Sequence, residues 1–113
     1  MKISMPYFGE LSINRMYVYD RFGRNTMKVK PEVEEWMEKL GKKVSGLGVS
    51  SPVTITLFGR FKDGRHPDLG NLHKALGDGL KKGLWLDDKE YLIRDIGWEE
   101  DALDPSLEIE ILE

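Results

Sequence analysis

The chain has 113 residues, a formal net charge of −3, 40% apolar and 33% charged residues, and no cysteine. This suits one soluble domain over residues 1–113 and excludes both a disulfide scaffold and a thiolate zinc site. A net acidic chain does not attract nucleic acid over its whole surface, so a nucleic-acid partner requires a local basic patch.

The N-terminus, "MKISMPYFGELSIN", has no apolar signal core and reads as mature sequence. Its first nine residues alternate apolar positions and predict a strand. Ser12 and Asn14 in "ELSINRMY" are turn formers, and "DRFGRNTMK" reads as a polar, basic loop. A helix is predicted from Pro31, which suits the first helical position, with Glu32, Glu34 and Glu35 at the positive end of its dipole. Val33, Trp36, Met37, Leu40 and Val44 give that helix one buried stripe, and "SGLGVSSP" ends it. "PVTITLFGRF" alternates Val53, Ile55 and Leu57 with Thr54 and Thr56, a strand pattern. A second helix is predicted over about Leu69–Lys82, N-capped by Asp68, with Leu69, Leu72, Leu76 and Leu80 facing the core. "KEYLIRDIGW" and "SLEIEIL" complete the set as strands. The order β-α-β-α-β-β predicts an α+β fold, a mixed sheet with two helices on one face. No apolar run approaches the roughly 18 residues of a membrane span, so no membrane partner is expected. The absence of Cys fits a reducing cytoplasm.

The second helix carries the chemistry. Asn71, Lys74 and Asp78 share one side of it. Asp68 stands at its start and the pair Asp87–Asp88 just beyond its end, while Arg60, Lys62, Arg65 and His66 lead in. Carboxylates beside cationic donors suit a hard cation and a phosphate, since Mg²⁺ takes a few carboxylates, keeps waters and engages phosphates. Each element also has an ordinary structural use. Asp68 serves as an N-cap, the double Asp as a turn, and Lys74 as a solvated side chain. His66 and His73 read as surface or packing residues, because Mg²⁺ prefers oxygen.

The stretch "RHPDLGNLHKALGDGLKKGLWLDDKEYLIRD" resembles the central motif of the RusA family of Holliday junction resolvases, in which an Asp opens a helix, an Asn and a Lys follow, and a double Asp precedes a strand. "SINRMY" and "PEVEEWMEKL" are similar to the family's N-terminal loop and first helix. The resemblance spans nearly the whole chain and implies a RusA-like fold and a homodimer that makes paired, Mg²⁺-dependent incisions in four-way junction DNA. Mn²⁺ is a candidate substitute for Mg²⁺. It matches Asp68 and Asp88 to the catalytic carboxylates that hold the metal, with Asp87 as helper, and Lys74 to the functional Lys. Arg15, Arg60, Lys62, Arg65, Asn71 and Lys81 are the expected DNA contacts. The family is common in phages and prophages, so a bacterial or phage cytoplasm is the expected location.

Gly70 departs from the motif, which in its best-studied form has a second Asp there. Asp78 cannot replace it. It lies ten residues from Asp68, about 15 Å along a helix, and Mg²⁺ ligands lie only about 2 Å from the ion. Asp87 and Asp88 are neighbours, and neighbours on an extended chain point apart. Solvent is the expected replacement ligand. The departure leaves open a junction-binding protein of this fold without turnover, and the acidic balance leaves open a small structural or interaction domain.

Overall fold

Alternation of apolar and polar residues in Val53–Arg60 builds the central strand of a sheet with one covered face. Val53, Ile55 and Leu57 are buried on that face, while Thr54, Thr56, Phe58 and Arg60 are only partly covered on the other. The computed structural model describes residues 1–19, 27–49, 52–87 and 89–112. In chain order the strands are β1 (Lys2–Pro6), β2 (Tyr17–Tyr19), β3 (Met27–Val29), β4 (Val53–Arg60), β5 (Tyr91–Glu99) and β6 (Ser106–Leu112); the helices are α1 (Pro31–Val44) and α2 (His73–Leu84). The main sheet runs β1-β6-β4-β5, and β2 and β3 form a separate hairpin. β4 lies antiparallel to β6 and parallel to β5. A parallel pair needs a long crossover, and α2 supplies it. A bulge passes over Ile96 between the Leu57–Asp95 and Phe58–Gly97 pairs, bending the edge strand β5.

Both helices cover the same face. The predicted stripes are buried: Val33, Trp36, Met37, Leu40 and Val44 on α1, and Leu69, Leu72, Leu76 and Leu80 before and on α2. They pack onto Ile3, Met5, Ile55, Leu57, Leu107, Ile109 and Ile111. The Trp36 indole N–H donates to the Pro6 carbonyl at 2.7 Å, tying α1 to the end of β1. The helices cross at glycines. A Cβ on Gly83 would lie 2.1 Å from the Gly41 carbonyl oxygen, so only hydrogen fits there.

The mixed α+β sheet with two helices on one face is as predicted, and the sequence order β-α-β-α-β-β describes its main body. Two local readings are corrected. The second helix opens with a 3₁₀ turn, Leu69–Leu72, before α2 begins at His73. Its leucines at i and i+3 fit a 3₁₀ turn and an α-helix equally well. Second, Met27 and Lys28, the end of the stretch read as a loop, begin a strand, Met27–Val29, paired with Tyr17–Tyr19, while residues 20–26 of that stretch lie outside the described residues. Three-residue strands are too short for alternation to reveal. Among the described residues no helix is long and apolar enough to cross a membrane.

Candidate functional site

The approach to Asp68 is fixed by a stack of rings. Phe61, the first residue after β4, is buried, and the His66 ring lies on it at 4.1 Å and 8°. Tyr7 meets the other side of Phe61 edge-on at 4.8 Å, and Trp98 meets His66 at 5.4 Å. Backbone bonds clamp the same segment: Phe61 N–H donates to Glu99, Asp101 N–H to Lys62 and Ala102 N–H to Phe61. His66 is thus a packing histidine. It lies 3.6 Å from Glu100, and its Nδ1 is 3.0 Å from the Pro67 carbonyl.

Asp68 follows in extended backbone. Its carbonyl accepts the Asn71 N–H at 2.9 Å and so opens the 3₁₀ turn, but its carboxylate makes no capping bond. This corrects the reading of Asp68 as a side-chain N-cap. The carboxylate is exposed, with no hydrogen-bond partner among the described residues. An N-cap side chain normally satisfies an orphan N–H. Here the residue has the cap position without the cap function, which leaves both oxygens for a ligand.

Asn71 joins the N-terminal loop to this turn, its carbonyl accepting the Ile13 N–H at 2.8 Å. The result is a cleft of about 460 Å³ in which Asn14, Arg15, Arg65 and Asn71 meet beside Pro67. Three of the residues expected to contact DNA are therefore together, although they come from three segments. Arg65 holds Asp63 through several bonds, the shortest 2.8 Å, and this draws the Asp63 carboxyl down to about 2. Arg15 reaches Glu10 at 3.3 Å.

A second cleft, of about 450 Å³, lies on the other side of the turn between α2 and β5. Gly70, His73, Lys74 and Asp78 line it together with Tyr91. Lys74 is 3.4 Å from Asp78, and His73 Nε2 is 2.7 Å from Asp95 on β5. Sequence reasoning missed His73 as a lining residue. Its signal was weak: a His one residue before the motif Lys, facing an Asp on a strand far along the chain. A Cβ on Gly70 would meet nothing within 4 Å. The glycine is not there for room.

The remaining expected residues sit elsewhere. Lys81 and Asp87 line a groove along the C-terminal half of α2 beside α1, and Asp78 lines both this groove and the Lys74 cleft. Asp87 turns the chain, its carbonyl accepting the Glu90 N–H at 2.9 Å, and its carboxylate is exposed. Asp88 lies outside the described residues. Lys62 is exposed in the clamped segment. Arg60 is not brought to the clefts. It lies on the helix-free face of the sheet, bound to Glu99 and, at 2.9 Å, to Glu108, and those bonds hold its guanidinium firmly charged.

Asp68 and Asp87 both offer hard oxygen donors of the type Mg²⁺ takes, but they stand at opposite ends of α2, so the structure does not bring Asp87 to Asp68 within one chain as a shared ion requires. Among the described residues no three His, Asp or Glu side chains form a ready-made metal cage.

The model of the family described as "Endodeoxyribonuclease RusA" matches residues 23–112. The chain belongs to the RusA endodeoxyribonuclease family. Its relatives include the crossover junction endodeoxyribonuclease of Enterobacteria phage 82, 33% identical over 84 residues, covering 70% of this chain and 68% of that protein. The crossover junction endodeoxyribonuclease of Escherichia coli strain K12 has the same identity and coverage. The family is one of nucleases, and the matched span contains the ring-clamped approach, Asp68, α2 and the double Asp.

Proposed function

We propose that this RusA-family chain is a Mg²⁺-dependent endonuclease that resolves four-way DNA junctions by paired incisions as a homodimer. The observation that carries this reading is the state of Asp68. Its carboxylate is at the head of the turn, exposed and not used for capping, beside clefts that hold Lys74 on one side and Arg15, Arg65 and Asn71 on the other. A purely structural N-cap would have closed its bond.

Asp68 would hold the metal with the partner subunit's Asp88 and the partner subunit's Asp87, since Asp87 of its own chain follows the far end of the 12-residue α2, about 18 Å long, and Mg²⁺ ligands lie only about 2 Å from the ion. When bound, Mg²⁺, or Mn²⁺ in its place, supplies Lewis-acid polarisation of the scissile phosphate and a more acidic water. The chain's own residues do the rest. Lys74 offsets negative charge that grows on the phosphate oxygens, an effect worth more in the transition state than in the bound substrate. Arg15, Arg65 and Asn71 grip backbone phosphates and set the register of the strand. The ring stack under His66 keeps Asp68 from drifting, which matters because a small misplacement of a reacting group costs much rate. A two-fold enzyme suits a four-way junction, whose paired cuts are related by the same symmetry.

The test is a labelled four-way junction incubated with wild type, Asp68→Asn and Asp88→Asn, with Mg²⁺ or with EDTA. Metal-dependent cutting by wild type alone is expected, with junction affinity nearly unchanged in both variants. Full cutting by either variant would remove that carboxylate from the mechanism. Binding without cutting by wild type would favour the non-catalytic reading that Gly70 motivates.

A further inference from the structure

Trp85 is in the wrong conformation and the wrong environment for a residue that serves folding alone. It closes α2 with φ 59° and ψ 31°, its N–H donating to the Lys81 carbonyl. That left-handed position belongs to Gly or Asn at helix ends and disfavours a bulky side chain. Its neighbours Leu84 and Leu86 are both buried, so the chain is anchored on either side and the ring is turned out. The ring is 86% exposed, whereas Trp36 is buried and hydrogen-bonded and Trp98 leans on His66. Among the described residues the Trp85 ring touches no other ring. Strain and exposure at one aromatic residue point to a ligand.

The surroundings narrow its chemistry. Trp85 borders a groove of about 520 Å³ whose apolar lining comes from Val29, Met37 and Leu86. The rim carries three carboxylates, Asp78, Asp87 and Glu34, and two lysines, Lys81 and Lys82, the latter 2.9 Å from Glu34. The lysines can take the backbone of a strand, while the carboxylates leave the groove itself for an uncharged group. A flat, neutral ring with N–H donors on its edge is what an apolar floor edged by carboxylates accepts, since carboxylates accept hydrogen bonds from exocyclic amines of bases.

We propose that Trp85 is a nucleobase-stacking residue that receives a base whose face is unstacked at the branch point and thereby selects junctions over duplex. This rests on the reading that the substrate is branched DNA. Duplex bases are already stacked and offer no free face, so the contact is made only where stacking is interrupted.

The experiment compares wild type, Trp85→Gly and Trp85→Phe in EDTA, where no cutting occurs. Probes are a four-way junction with 2-aminopurine at the branch and a linear duplex of the same sequence. Trp85→Gly suits the left-handed backbone, so it should unfold at a temperature equal to or above wild type. It should lose about 5- to 150-fold in junction affinity, the range for one stacked base, lose the 2-aminopurine quenching, and keep duplex affinity. Trp85→Phe should retain most of the binding and quenching. Wild-type junction preference that survives intact in folded Trp85→Gly overturns the stacking role alone. Equal loss on junction and duplex, or a fall to monomer in sedimentation, overturns it too, the last by assigning the ring to a second copy. A wild type with no preference for the junction overturns the functional reading beneath it.

Discussion

At the scale of single residues, Gly70 separates two explanations of the departure from the family motif. A glycine kept for its backbone shows a left-handed φ or a neighbour that a Cβ would strike. Gly70 shows neither, and its Cβ would enter open space in the cleft shared with Lys74. Gly70→Asp should therefore fold with a stability within about 0.5 kcal/mol of wild type, as surface substitutions do. If the position is a vacant metal ligand, the magnesium titration of junction cleavage should move to lower concentration. An unmoved titration in a stably folded variant would eliminate the missing-ligand idea and leave solvent as a sufficient ligand. The same scale explains why Asp68 was harder to read than Gly70. Sequence puts an Asp at a helix start, but whether its oxygens turn back to the N–H groups depends on the turn that follows. Here that turn is 3₁₀.

At the scale of elements, the helix crossing has a sign that propensity alone gets wrong. Replacing a mid-helix glycine with alanine ordinarily stabilises by roughly 0.5–1 kcal/mol. Gly83→Ala would place a methyl group 2.1 Å from the backbone oxygen of Gly41 and 2.5 Å from Val44 Cγ2. Backbone cannot yield as a side chain can, so the helices must separate, and overpacking of this kind costs about 1–3 kcal/mol. We expect a lower midpoint in urea with an unchanged slope. A stabilised Gly83→Ala would show that α1 and α2 do not approach this closely. The elements that alternation or helical spacing defines over several turns were legible: α1 begins at Pro31 and β6 runs over Ser106–Leu112, as their patterns require. What was not legible depends on partners. Val29 joins a strand because Tyr17 pairs with it, and the edge position of β5 follows from which strands β4 accepts. Of the site, the Asp, Lys and Asn spacing on α2 was visible. The meeting of Asn71 with Asn14 and Arg15 was not, because one backbone bond from Ile13 makes it.

For the whole molecule, the net charge of −3 and a DNA substrate are reconciled by where the charges lie. Glu99, Glu108 and Glu110 share the helix-free side of the sheet with Arg60 and Lys2, and that region is paired internally. Arg15 and Arg65 lie instead around the cleft beside Asp68. Counterion release counts only the phosphates neutralised locally, each contributing a slope of about −0.9 in log affinity against log salt. Junction binding should therefore weaken steeply with salt despite the acidic total. The two arginines flanking the loop make the placement testable. Arg65 is 88% exposed, and its pair with Asp63 is a surface one of small energetic weight, so it can exchange that partner for a phosphate. Arg60 is held by two carboxylates on the far side. Arg65→Ala should reduce the slope by about 1 and leave the unfolding midpoint nearly unchanged. Arg60→Ala should leave the slope unaltered and lower the midpoint, since it strands Glu99 and Glu108 beside each other. Salt titrations of junction binding for both variants, with urea unfolding of each, check this. Equal slope changes in the two would mean that DNA also covers the helix-free face, and a slope unchanged in Arg65→Ala would remove the cleft from the docking surface.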